Sequence, residues 1–452
     1  MGHNWGMKTF AFIVLGLVMA VGGRGVFGEE ATTATSAPAT QGAGVVIDSP
    51  REWQVVQRGS DEEGVVRVAG KVEHAAGKKL NYWVLVGGLA HSRAAKQQAA
   101  REVSERAEQE VKQSAGREYS PNGGFGGPGP GNNLVPNSTF DPMPFTFPSP
   151  VSDTDGTFHV DLKLPAGGWY SVEVATVDEK GATLESATVQ HVGVGEVFVT
   201  GGQSNSTNWG EARTRTDTGM VTVFDGKEWT VAADPIPGVD AGQGKGSPWC
   251  LFGDDMYAKL HVPIAIVPVG KGSTSVRQWL PKGDVVEIEP TKTYGMKKNS
   301  DGKWESEGTL YDRMVERMKQ LGPKGFRAML WHQGESDAHQ SAGHTLPGKD
   351  YRAMLERVIK ESRKEVGWEV PWFVAVATWG SPQSPTDADI REAQHGVVED
   401  GVALQGPDTD TLIGANRQKD GTGVHMSLKG LYAHAALWAN IVGSWVQVTA
   451  AK

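Results

Sequence analysis

The chain has 452 residues, a formal charge of −9, 59 Gly, 15 Trp and a single cysteine, Cys250. That length allows two or three domains. The acidic balance argues against a nucleic-acid partner, which needs a basic footprint, and one cysteine excludes both an intramolecular disulfide and a cysteine-based zinc site.

Lys8 precedes an apolar run, Phe10 to Val21, and then small residues up to Gly28. A basic start, a short apolar segment and a small-residue exit predict a secretory signal peptide over residues 1–28. The run is too short to span a bilayer. The protein is therefore expected to be exported, to a periplasm or to the exterior, with no integral membrane anchor after signal cleavage. Residues 29–44 are rich in Ala, Thr and Ser and read as a flexible linker.

Residues 45–194 read mostly as β. Val65 to Val68 and Tyr82 to Val86 are strand-like, and Thr157 to Leu164 alternates apolar and polar residues as a half-buried strand does. Pro165 to Gly168 predicts a turn, and Trp169 to Val174 the returning strand. Short strands at this spacing predict a β-sandwich accessory domain. It carries an insertion at 92–150, made of a charged helix from Ser92 to Arg117 with a thin apolar seam and an irregular Gly/Pro/Asn-rich stretch.

From Gly195 the pattern changes. Apolar strands at Glu196–Thr200, Pro263–Val269, Phe326–Trp331, Pro371–Thr378 and Val402–Leu404 alternate with helical segments, among them Tyr351–Val366 and Ser427–Trp445. Alternation of this kind predicts a parallel sheet covered on both faces, here over residues 195–449. Ligands of such sheets bind beyond the carboxyl ends of the strands. Those ends carry Gly201-Gly202-Gln203-Ser204-Asn205, then Gly270-Lys271-Gly272-Ser273-Thr274, then His332-Gln333-Gly334-Glu335-Ser336-Asp337, with His425 before the last helix. Taken singly, each is an ordinary turn or cap. Together on one rim they supply a serine, a base and several hydrogen-bond donors, which is what acyl transfer requires.

G-Q-S-N at 202–205, W-H-Q-G-E-S-D at 331–337 and G-V-H before the last helix resemble the SGNH-hydrolase superfamily. More narrowly the chain is similar to the sialate O-acetylesterase-like carbohydrate esterases, relatives of acetylxylan esterases. The resemblance implies a flavodoxin-like three-layer α/β/α domain, often preceded by a sandwich, and a serine hydrolase of carboxylic esters without metal or organic cofactor. It implies Ser204 as nucleophile, His425 as base, and an oxyanion hole from the Ser204 and Gly272 N–H groups and the Gln333 amide. Trp279 also matches a family position, and Gln203, Asn205 and Glu335 become candidates for substrate contact or support. Two departures stand out. G-S-T at 272–274 replaces the usual G-G-T. The Asp that the family commonly has two or three residues before its histidine is here Gly423 or Thr422. Asp420, five residues before His425, is the expected triad acid; Asp408, Asp410 or Glu335, or a Ser–His dyad, are the alternatives.

The reading that follows is a secreted carbohydrate O-acetylesterase acting on an acetylated carbohydrate. A general short-chain or lipid esterase of the same fold, and a non-catalytic carbohydrate-binding protein with a decayed site, are the alternatives. No signal for an oligomeric state is present. Trp is expected in the core by default; for Trp279 and Trp379, each abutting a loop, a sugar-facing role competes with that. Val269 to Ser273 fails as a phosphate-binding loop, since Ala265 stands where glycine is needed and Gly272 follows the lysine. His332, His339 and His344 read as loop residues rather than metal ligands.

Overall fold

The computed structural model describes residues 44–73, 155–178, 180 and 182–449, with the backbone of 40–41, 81–88 and 450. The expected signal peptide, most of the expected linker and the whole insertion at 92–150 lie outside the described residues.

The β region contains β1 (Val45–Ser49), β2 (Val55–Gln57), β3 (Glu63–Val72), β4 (Asn81–Gly88), β5 (Thr157–Pro165) and β6 (Gly167–Val177). It continues into β7 (Thr183–Gly202), a strand of 20 residues. β1, β3 and β5 form one antiparallel sheet. β4, β6 and the first half of β7 form a second, with β2 added parallel to β7. Alternate residues of β3 and β5 point inward, and Val66, Val68, Leu162 and Leu164 meet Val172, Val174, Val189 and Val192 across the gap. This is the packing that a period-two apolar pattern demands.

β7 does not stop at residue 194. Its second half is the central strand of the α/β region, so the expected boundary at 194/195 falls inside one strand. Glu196, fully buried there, pairs with Arg58 at 2.7 Å and Arg327 at 2.7 Å and ties the two regions together. The other strands of this sheet are β8 (Val221–Phe224), β9 (Trp229–Val231), β10 (Ile264–Pro268), β11 (Ala328–His332), β12 (Trp372–Val376) and β13 (Leu404–Asp408). Their order is β9-β8-β10-β7-β11-β12-β13, and all pairings are parallel except β9 with β8.

Five helices cover this sheet: α1 (Trp249–Leu260), α2 (Thr309–Gln320), α3 (Gly348–Val366), α4 (Ala388–Glu399) and α5 (Leu428–Ala450). Val197, Val199, Val267 and Trp331 face Met314, Leu355, Val358 and Val397 from α2, α3 and α4. Phe198, Ile266, Leu330 and Phe373 face Phe252 and Met256 of α1 and Ala435, Trp438 and Val442 of α5. The result is a mixed α/β fold with three layers around a mostly parallel sheet, which fits the SGNH-like esterase fold. After β7 the chain builds β8 and β10 on one side and β11 on the other, so the order reverses at β7. The crevice beyond the carboxyl end of such a strand is where open α/β sheets bind ligands.

Candidate active site

Gly201 and Gly202 close β7, and Ser204 opens a short 3-10 helix, Ser204–Ser206. The reason for Gly202 is local: its φ is +116°, and a Cβ there would lie 2.0 Å from the His332 carbonyl oxygen. The glycine therefore serves the contact between β7 and β11. Gln203 makes the same junction polar. Its N–H donates to His332 O at 2.9 Å, and its Oε1 accepts from Gln333 Nε2, Gly334 N and Ser336 N, the last at 2.9 Å. Ser204 is 4 % exposed. Its N–H stands in the first turn of a helix, where no intrahelical acceptor exists.

Asn205 joins three strand-end loops. Its Nδ2 donates to Glu335 Oε1 at 2.8 Å and to Val424 O at 3.2 Å. The residue after Ser204 is thus bonded to the residue before His425. The His425 loop has further supports: Trp379 Nε1 donates to Gly423 O, Arg417 Nη1 to Val424 O, and Gln418 N to His425 O. Arg417 is buried, donates also to Leu412 O and Thr409 O, and lies over the Trp379 ring. The His425 ring is half-buried and packs on Trp209, with centroids 5.1 Å apart. Burial, then the positive charges of Arg417 and Lys419, push its pKa down to about 4.

Asp420 is not brought to His425. Lys419 and Asp420 both adopt left-handed backbone, and the Asp420 side chain is exposed. Among the described residues no carboxylate lies within ion-pair distance of His425. Asp410 accepts from Thr378 N, Thr378 Oγ1, Trp379 N and Arg391, and Asp408 is chelated by Arg391. Asp410 thus holds the loop after β12, and both acids are engaged by Arg391 of α4. Glu335 is different. Its side chain is buried, one oxygen accepts from Asn205, and Oε2 has no partner among the described residues. Burial pushes its pKa up to about 7.

The expected oxyanion donors beyond Ser204 are engaged elsewhere. Gly272 N donates to the Asp240 carboxylate at 3.0 and 3.2 Å, which also accepts from Trp209 Nε1 at 3.2 Å and sits 3.6 Å from Lys271 Nζ. Gln333 is fully buried; its Nε2 faces Asp337 Oδ2 at 2.7 Å, Thr274 O at 3.1 Å and Gln203 Oε1 at 3.3 Å, while Tyr351 OH donates to its Oε1. Trp279 is fully buried, donates to Thr274 Oγ1 and packs edge-on against Trp331, so it is core and not a sugar platform. Trp379 is likewise enclosed. The aromatic that does border His425 is Trp209, which the sequence pattern did not single out; nor did it single out Asp240 or Arg417. His332, His339 and His344 each contact a different oxygen, those of Thr409, Thr378 and Glu289. A groove of about 860 Å³ lies away from these residues, lined by Arg51, Gln57, Lys163 and Trp229 among others.

The family model for "carbohydrate esterase, sialic acid-specific acetylesterase" matches residues 194–435, more than half of the chain. Three solved structures are similar in shape. A carbohydrate acetylesterase from Xanthomonas citri is 18 % identical, with TM-score 0.46, over 89 % of this chain and 75 % of that one. An Arabidopsis thaliana protein is 20 % identical, with TM-score 0.39, over 54 % and 96 %. A family two carbohydrate esterase from Clostridium thermocellum, in complex with cellohexaose, is 10 % identical, with TM-score 0.32, over 91 % and 98 %. No curated protein matches the chain.

Proposed function

Because the chain belongs to the family of carbohydrate esterases described as sialic acid-specific acetylesterases, it is an esterase, and we propose that it removes acetyl groups from sugar hydroxyls through a serine acyl-enzyme. His425 takes the Ser204 proton as Oγ attacks the acetyl carbonyl. The tetrahedral intermediate expels the sugar oxygen, which receives that proton. Water, deprotonated by His425, then attacks the acetyl-enzyme, and acetate leaves as His425 returns that proton to Ser204 Oγ. A pKa pushed down to about 4 keeps His425 neutral, and so able to accept a proton, at neutral pH. The Ser204 N–H is the first oxyanion donor. Gly272 and Gln333 join it by exchanging Asp240 and Asp337 or Thr274 for the oxyanion. Losing one such donor typically costs about 10²–10³ in rate.

The observation that supports this reading most is the Asn205 bridge to Val424, which joins the Ser204 turn to the His425 loop at the strand where the sheet order reverses. On the same reading residues 1–28 direct export, and the β region is an accessory sandwich that braces the strand carrying Ser204. One observation favours a second reading, a carbohydrate-binding protein with a lapsed site: no carboxylate among the described residues touches His425.

The test is acetate release from a panel of acetylated sugars and from 4-nitrophenyl acetate, comparing the protein with Ser204→Ala. Turnover lost only in the variant is expected. A folded protein that turns over none of these substrates favours the binding-protein reading, and equal turnover by both means that another group is the nucleophile.

A further inference from the structure

An acyl-transfer histidine needs a fixed ring, and here no acid holds the ring directly. Asp408 and Asp410 are consumed by Arg391 and the loop after β12, and Asp420 faces solvent. Glu335 remains. We propose, on the esterase reading above, that Glu335 is the positioning acid of this site and acts at one remove: its carboxyl fixes the Asn205 amide, and that amide fixes the Val424 carbonyl and with it His425.

The geometry gives Asn205 no freedom of orientation. Its Nδ2 has two acceptors, Glu335 Oε1 at 2.8 Å and Val424 O at 3.2 Å, and an amide nitrogen has two hydrogens. Other supports of the His425 loop come from Trp379, Arg417 and Gln418, and from the segment after the Ser204 helix, where Trp209 packs on the ring and Glu211 N donates to Met426 O. Asn205 is the member of this set next to Ser204 itself. Removing Glu335 leaves the Asn205 bridge without its anchor.

Glu335 can do this in the neutral form. Thr409 Oγ1 donates to Val376 O at 3.1 Å, so it accepts from His332 Nε2 at 2.9 Å, which assigns the His332 proton to Nε2 and leaves Nδ1 bare. That bare, buried Nδ1 lies 3.7 Å from Glu335 Oε1. A carboxylate there sets its charge against a lone pair, with the Arg417 charge easing the conflict, and a proton on the carboxyl removes it. The neutral carboxyl still offers a carbonyl oxygen to Asn205. A glutamine has the same shape and the same acceptor.

The experiment compares kcat and KM for 4-nitrophenyl acetate in the full chain, in Glu335→Ala, Glu335→Gln and Asn205→Ala, and in the Glu335→Ala/Asn205→Ala double variant, with Ser204→Ala as reference. A misplaced catalytic group loses on the order of 10- to 100-fold. Glu335→Ala and Asn205→Ala are expected to lose kcat on that scale with KM within about twofold. Glu335→Gln is expected to recover kcat, and the double variant to be no worse than the worse single one, since both cut one chain of contacts. Unchanged kcat in Glu335→Ala, a Glu335→Gln variant as damaged as Glu335→Ala, or losses that multiply in the double variant would each overturn the proposal while leaving the esterase reading intact. If Glu335→Ala does not fold, Glu335→Gln and Asn205→Ala decide alone: recovery in the first with loss in the second supports it, and any other pattern overturns it. A wild type with no more turnover than Ser204→Ala removes the esterase reading, and the proposal with it.

Discussion

Arg277 and Asp337 form a fully buried ion pair, Nη2 to Oδ1 at 3.4 Å, between the turn after β10 and the turn after β11. Asp337 also accepts from Ser275 Oγ at 2.5 Å, Val276 N at 2.9 Å and Gln333 Nε2 at 2.7 Å. One carboxylate thus fixes the start of the Val276–Trp279 helix and the Gln333 amide together. Asp337→Ala leaves Arg277 buried without a charge partner, which typically costs about 3–5 kcal/mol. Urea unfolding should register that loss; a change below about 1 kcal/mol would mean that the carbonyls around Arg277 satisfy it alone.

Ser273 adopts φ +59°, the left-handed region, at the position where the resembled family carries the second glycine of G-G-T. A non-glycine residue there costs roughly 1–2 kcal/mol, and glycine returns part of that as unfolded-state entropy. Ser273→Gly should therefore raise stability by a few tenths to about 1 kcal/mol, whereas Ser273→Val should lower it by more than about 1 kcal/mol. Melting temperatures of the two variants check the order; a glycine variant less stable than the valine one would remove backbone conformation as the cause.

The pH dependence of stability has two opposed parts. His332 and His425 are pushed down to about 3 and about 4, and His434 well below its ordinary value, each chiefly by burial. Groups whose pKa falls on folding contribute stability above about pH 6.5, and it is lost as pH falls toward those values. Glu335 is raised to about 7, so its contribution runs the other way and declines as pH rises from about 4.5 through 7. It is faced by Asn205, His332 and Arg417, with the Asp410 charge raising it further. Glu335→Gln cannot ionise. Its melting temperature relative to wild type should therefore rise as pH goes from about 4.5 to 7 and level off above that, and a difference constant from pH 5 to 8 would mean that Glu335 does not titrate there.

If His425 is the general base, kcat/KM should climb through about pH 4 and then level off, because the free enzyme's base sets that limb. Rates on 4-nitrophenyl acetate between pH 3 and 7 decide this. A limb near pH 7 would mean that a carboxylate reaches the imidazole in the working protein.

Much of this site could be read from the residues before any coordinates. β10, β11 and β12 are continuous apolar runs because they are buried on both faces, and turns that join glycine to polar residues mark the carboxyl ends of β7, β10 and β11. Alternation in Thr157–Leu164 likewise marks β5 as a strand with one face inward. What failed depended on side-chain direction, which spacing does not encode. Asp420 is near His425 in number, yet two left-handed residues carry it to solvent. Trp279 abuts a loop, yet it packs inward against Trp331. Asp240 lies in a stretch with no periodicity, and its contact with Gly272 joins segments 32 residues apart. Arg417 resembles any surface arginine until its three carbonyl partners are known.

β7 contributes Val189, Val192 and Val194 to the core of the β region, Val197 and Val199 to one face of the α/β sheet, and Phe198 to the other. A single rod of chain is thus mortared into three separate masonries. Heat should dissolve them in one calorimetric step, because none can let go of the rod while the others keep it, and a protease should find no seam at residue 194 at which to part a working esterase from its β layer.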